Sequence, residues 1–95
     1  MILYAQITKE IFQILVVVMT VIDFSEIQKL VKLQLGAREV NESSRLIEDL
    51  RAESVDIVNL AVSMEERYGI EIKESELAHI KTVGDLHALV QSRVG

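Results

Sequence analysis

Between Ser54 and Tyr68 the chain runs without glycine or proline and carries two apolar stripes at helical spacing. That double pattern constrains the fold more than any other stretch. At about 100° per residue, Ile57, Leu60, Ala61, Met64 and Tyr68 fall on one side, which is enough for the buried face of an amphipathic helix. Val55, Val58 and Val62 fall roughly opposite, with Glu65 and Glu66 at the lower end and Asp56 and Asn59 alongside. A helix in a small bundle needs only one buried face. The second stripe is therefore either covered by another helix or exposed as an apolar strip with an acidic border, the anatomy of a surface that docks into a partner's groove.

The neighbouring segments repeat the helical period. Phe24, Ile27, Val31 and Leu35, with Leu30 beside them, predict a helix over 24–35, started by Asp23 or Ser25 and stopped by Gly36. Leu33 points away from that face. Ala37 to Glu53 has no sustained period and is longer than most helix connections; Val40, Leu46, Ile47 and Leu50 are its candidate anchors. After Gly69, residues 73–79 suit a short helical turn. Thr82 followed by Asp85 is a capping-box pair for a last helix with Val83, Leu86, Val90 and Val94 inward and Leu89 adjacent. The expected fold class is all-α, a small antiparallel four-helix bundle with three longer helices and one short one.

The first 18 residues do not resemble the rest. Ile11 to Ile22 is apolar except for Gln13 and Thr20, but Lys9 and Glu10 leave it short of the roughly 20 apolar residues a membrane span needs. A basic leader and a small-residue cleavage site are both missing from view. The reading favoured is an apolar extension, 1–18, upstream of a natural start at Met19, followed by one domain, 19–95. Otherwise the valine-rich run must be covered by its own domain or a neighbour.

Charge narrows the partners. The net charge is -5, and from Glu48 to Glu76 nine acids face three bases. Such a field repels nucleic acid and anionic membrane and favours basic protein surfaces. Without cysteine there is no disulfide framework or thiol nucleophile, which permits the cytoplasm, the expected location. His79 and His87 lack partners at metal-ligand spacing and read as solvated side chains. No glycine-rich phosphate loop accompanies Ser54, so neither catalysis nor metal binding is expected. Ser54 itself has a plain explanation as a helix cap worth about 1 kcal/mol. Capping requires neither the flanking acids Glu48, Asp49, Glu53 and Asp56 nor a second valine stripe beginning one residue later. The plain account is therefore incomplete.

The run Glu48-Asp-Leu-Arg-Ala-Glu-Ser-Val-Asp resembles the prosthetic-group site of acyl carrier proteins, usually Asp-Leu, two residues, then Asp-Ser-Leu. Glu65-Glu-Arg-Tyr-Gly-Ile-Glu-Ile is similar to the acidic end of that family's second helix. Ile80-Lys-Thr-Val-Gly-Asp is similar to the approach to its last helix, and Leu33-Gln-Leu-Gly to the end of its first. The likeness spans about Thr20 to Val94, with four motifs in order. It departs at Glu53 for aspartate, Val55 for leucine, Asn59 for an acid and Lys73 for proline.

The resemblance implies a non-catalytic carrier of the bacterial, free-standing kind. A phosphopantetheinyl transferase would attach 4′-phosphopantetheine from coenzyme A to Ser54, and the arm's thiol would hold acyl groups as thioesters. It further implies delivery to acyl-transferring and fatty-acid, lipid or polyketide-like enzymes with basic docking grooves. Glu53, Val55, Asp56, Val58, Val62, Glu65 and Glu66 would form the recognition surface, on a monomer apart from the apolar extension. A chain folded back into the bundle would meet Val58, Leu60, Val62, Met64, Ile72, Leu77 and Ile80. Alternatives are a carrier for aminoacyl groups and an unmodified helical interaction subunit that uses the valine strip alone.

Overall fold

The computed structural model describes residues 21–94. Helix α1 runs Phe24–Leu35, α2 Ser54–Tyr68, α3 Glu74–Leu77 and α4 Val83–Val94. The expectations about residues 1–18 and the start at Met19 lie outside the described residues. Among those residues the fold is all-α, a four-helix arrangement in which α1 packs on both α2 and α4, and α3 leans on α2.

Each boundary has a local cause. Asp23 sits in extended conformation ahead of α1 and its carboxylate accepts from the Ser25 N–H at 3.4 Å. Gly36 (φ 65°) and Gly69 (φ 64°) take the left-handed conformation that ends α1 and α2, and the Gly69 N–H donates to the Glu65 carbonyl at 2.9 Å. The short helix is confined to Glu74–Leu77, less than the 73–79 span that composition allows, and it buries no residue. It is held at its start by the Glu76 carboxylate, which accepts from the Lys73 N–H at 3.0 Å.

The apolar faces meet as the periodicity requires. Ile27 and Val31 from α1, Leu60, Ala61 and Met64 from α2, and Val83, Leu86 and Val90 from α4 form the buried core. Phe24, Leu30, Leu35, Ile57, Tyr68, Leu89 and Val94 close its margins. Leu33 is 81% exposed. Ile22 is buried ahead of α1 and its backbone is gripped by α4: its N–H donates to Gln91 Oε1 at 2.7 Å, and its carbonyl lies 2.7 Å from His87 Nε2. The His87 ring also stands edge-on to Phe24 at 5.7 Å between centroids. His87 is thus a half-buried structural group, not the solvated side chain expected from spacing; His79 is exposed.

The long connection is a tertiary element. Val40, Leu46 and Ala52 are buried, whereas Ile47, an expected anchor, is 56% exposed. The Leu46 N–H donates to the Lys81 carbonyl at 2.9 Å. In return the Val83 and Gly84 N–H groups donate to the carbonyls of Ser44 at 3.0 Å and Glu42 at 2.9 Å. Two donors of α4's first turn, which no helix can satisfy internally, are thereby used to hold the loop.

A side chain at position 84 would collide with that contact, since an added Cβ would lie 2.9 Å from the Glu42 carbonyl oxygen. Gly84→Ala is therefore expected to destabilise by about 1–2 kcal/mol in chemical denaturation, although alanine is the better helix former by about 1 kcal/mol.

Acid caps complete the frame. The Asp85 carboxylate accepts from the Thr82 N–H at 3.0 Å and the Lys81 N–H at 3.1 Å, while the Asp85 N–H donates to Thr82 Oγ1 at 3.0 Å. These bonds, led by Thr82, hold the Asp85 carboxyl below its ordinary 3.8. Its stabilising effect is present above the unfolded value and disappears as pH falls through the lower folded one. Unfolding followed from pH 7 to pH 2 should show stability lost below about pH 4, with a shallower slope in Asp85→Asn.

Candidate functional site

The connection enters α2 through a tight turn. Residues 45–50 form one turn closed by the Leu50 N–H on the Arg45 carbonyl at 3.0 Å. Asp49 accepts from the Arg45 backbone N–H at 2.8 Å and pairs with its guanidinium at 3.1 Å. Those hydrogen bonds push the Asp49 carboxyl below its usual range. Asp49 is therefore committed to the turn and adds little to the outward acidic field. Arg51 then takes a left-handed conformation (φ 58°), a cost of about 1–2 kcal/mol for a residue with a Cβ. It turns the chain so that Ala52 is buried and Ser54 opens α2.

Ser54 does not cap α2. The N-cap residue is Glu53, in extended conformation, and the capping carboxylate is Asp56, which accepts from the Glu53 N–H at 2.8 Å. The Ser54 side chain is exposed, and among the described residues its hydroxyl makes no hydrogen bond. The expectation that this serine serves as a cap is thus replaced by a free primary hydroxyl at the first helical position.

Beside it opens a groove of about 460 Å³ lined by Ile47, Glu48, Ser54, Ile57, Val58, Glu74, Leu77, Ala78, Ile80 and Lys81. Of the seven side chains expected to line a cargo site, Val58, Leu77 and Ile80 do so. Leu60, Met64 and Ile72 are instead packed in the core, and Val62 points outward. Ile47 and Lys81 come to the groove through the Leu46–Lys81 fold-back, which no local pattern announces. Neither histidine lines it.

The second stripe of α2 is open to solvent: Val55, Val58 and Val62 are 57%, 47% and 44% exposed. Around it the acids differ in freedom. Glu53 and Glu66 are exposed, Asp56 is occupied with its cap, and the Glu65 carboxylate accepts from the Ile72 N–H at 2.9 Å. No cluster of metal-ligating side chains occurs among the described residues, and none of their helices is long and apolar enough to cross a membrane.

A family model described as a phosphopantetheine attachment site matches residues 25–90, which spans α1, the groove and most of α4. The chain belongs to the acyl carrier protein family. It is similar to the acyl carrier protein of Chlamydia caviae, with 39% identity over 74% of this chain and 94% of that one. It is also similar to that of Thermotoga maritima, with 34% identity over 76% and 91%. A solved structure of a putative acyl carrier protein from Mycobacterium tuberculosis superposes with a TM-score of 0.69 at 26% identity, covering 73% of this chain and 95% of that one. The acetyl actinorhodin acyl carrier protein of Streptomyces coelicolor, at 18% identity over 80% and 94%, shares the fold with a TM-score of 0.66.

Acyl carrier proteins are non-catalytic and bear a covalently attached 4′-phosphopantetheine, installed by a phosphopantetheinyl transferase and presented to synthesis enzymes. The residues here fit such a group: an unbonded, exposed hydroxyl stands at the mouth of an open groove with six apolar walls. Once bound, the arm supplies the thiol that a chain without cysteine lacks.

Proposed function

We propose that Ser54 is the attachment residue, and that the carrier domain, 19–95, ferries acyl groups as thioesters among fatty-acid, lipid or polyketide-like biosynthetic enzymes. The observation that carries this reading is the free Ser54 hydroxyl at the groove, relieved of capping by Glu53 and Asp56. In the attachment step that oxygen forms the phosphodiester while the pyrophosphate bond of coenzyme A breaks and adenosine bisphosphate leaves. The groove's apolar walls would shelter part of the cargo.

Docking falls to Val55, Val58 and Val62, rimmed by Glu53, Asp56, Glu65 and Glu66. Basic grooves on the enzymes complement this face. Exposed pairs of this kind contribute only about 0.2–1 kcal/mol each, so they steer and select while the valines supply contact area. The protein works as a monomer in the cytoplasm, alongside its modifying enzyme.

The test is incubation with coenzyme A and a phosphopantetheinyl transferase, followed by intact mass and peptide mapping. An arm-sized gain on the peptide containing Ser54 is expected; failure with several transferases would sink the reading. The exposed valine strip also suits an unmodified adaptor, because nothing in its geometry requires the arm. That reading predicts partner binding indifferent to Ser54→Ala but lost in Val58→Asp.

A further inference from the structure

Among the described residues the rim of the groove carries three charged side chains, Glu48, Glu74 and Lys81, and of these Lys81 is the single base. Its backbone is fixed at both ends of the peptide unit: the N–H donates to Asp85 at 3.1 Å, and the carbonyl accepts from Leu46 at 2.9 Å. Its side chain is exposed, and its ammonium forms no ion pair among the described residues. Asp85, the acid next to it in the helix start, already serves two backbone N–H groups. A rigid root thus carries, on a flexible four-carbon stem, a cation that acts on the Asp85 carboxylate through its charge but is not locked into an ion pair with it.

The surroundings of Ser54 are otherwise acidic. Glu53 and Asp56 flank it in sequence and Glu48 shares the groove. A phosphodiester placed on Ser54 adds a further negative charge there, repelled by the Glu48 and Glu74 carboxylates of the lining and attracted by the Lys81 ammonium. Arg51, the nearest base in sequence, does not line the groove. We propose that Lys81 is a positioning residue that pairs with the phosphodiester on Ser54 and so lays the arm along Ile57, Val58 and Leu77 instead of leaving it in solvent.

The inference rests on Ser54 being the attachment residue. Because the pair is exposed, its effect is a bias, about two- to five-fold in favour of the docked arm, and it weakens with salt.

The experiment uses protein shown by intact mass to carry the arm, which separates the two questions: an unmodified Ser54 overturns both. On the modified protein, nuclear Overhauser contacts from the arm's paired methyl groups to Ile57 and Leu77 are expected. They should fall about two- to five-fold in Lys81→Gln and in the parent at 1 M salt, and return in Lys81→Arg. Arg51→Gln should leave them unchanged. Contacts that are equal in the parent and Lys81→Gln, or that follow Arg51 instead, overturn the assignment while leaving the attachment site intact. Lys81→Gln keeps every backbone bond of the loop, so its melting curve should match the parent.

Discussion

Ser54→Ala should abolish arm attachment completely while leaving stability within about 0.5 kcal/mol of the parent, the range of a surface substitution away from any structural device. The combination is informative because a serine at a helix start normally contributes as a cap. Here the Glu53 N–H is served by Asp56, and the hydroxyl of Ser54 is bonded to nothing among the described residues. Asp56→Ala is the contrasting variant: it removes the capping carboxylate and should cost about 0.5–2 kcal/mol while the acceptor oxygen survives. Mass spectrometry and urea denaturation of the two variants therefore separate chemistry from folding at positions two residues apart. A Ser54→Ala protein that melts as early as Asp56→Ala would contradict the geometry of this helix start.

The largest stability effect is expected from Met64→Ala. Met64 is fully buried at the centre of the core, and removing its side chain should cost about 2–5 kcal/mol. In a domain of this size that lowers the melting temperature by roughly 10 °C or more. Val62→Ala, on the same helix, removes an exposed side chain from the opposite stripe and should change stability by no more than about 0.5 kcal/mol. Its cost is expected in binding to a synthesis enzyme. Thermal melts paired with a binding titration would show two faces of one helix governed by different demands. Equal destabilisation by the two variants would mean that the valine strip is covered.

Much of this was legible in the sequence, for physical reasons that can be named. The ends of α1 and α2 coincide with Gly36 and Gly69, because left-handed helix termini favour residues without a Cβ. The Thr82–Asp85 capping box is a local device, and the structure forms it as the spacing suggests. The second valine stripe followed from helical periodicity, whereas its exposure, left open between a covering helix and solvent, is a finding of the structure. What local patterns could not show was the path of the 37–53 connection. Its display of Ile47 and the arrival of Lys81 at the groove go with pairing to residues 81–84, far along the chain, and the burial of Ala52 goes with the left-handed turn at Arg51. The plain account of Ser54 as a cap fails although serine has the stronger preference for that role, because Glu53 occupies the N-cap position and Ser54 the first helical one.

The exchange of hydrogen bonds between this connection and the start of α4 has a kinetic consequence. Leu46 on Lys81, Val83 on Ser44 and Gly84 on Glu42 close a loop of roughly 40 residues, so that part of the structure must wait for loop closure, whose entropic cost rises with length. The wall that carries Ile47 is tied through Leu46 to Lys81, just ahead of α4. The two segments should therefore behave as a single cooperative unit in native-state fluctuations, with the groove's width set by an opening equilibrium at the far end of the chain.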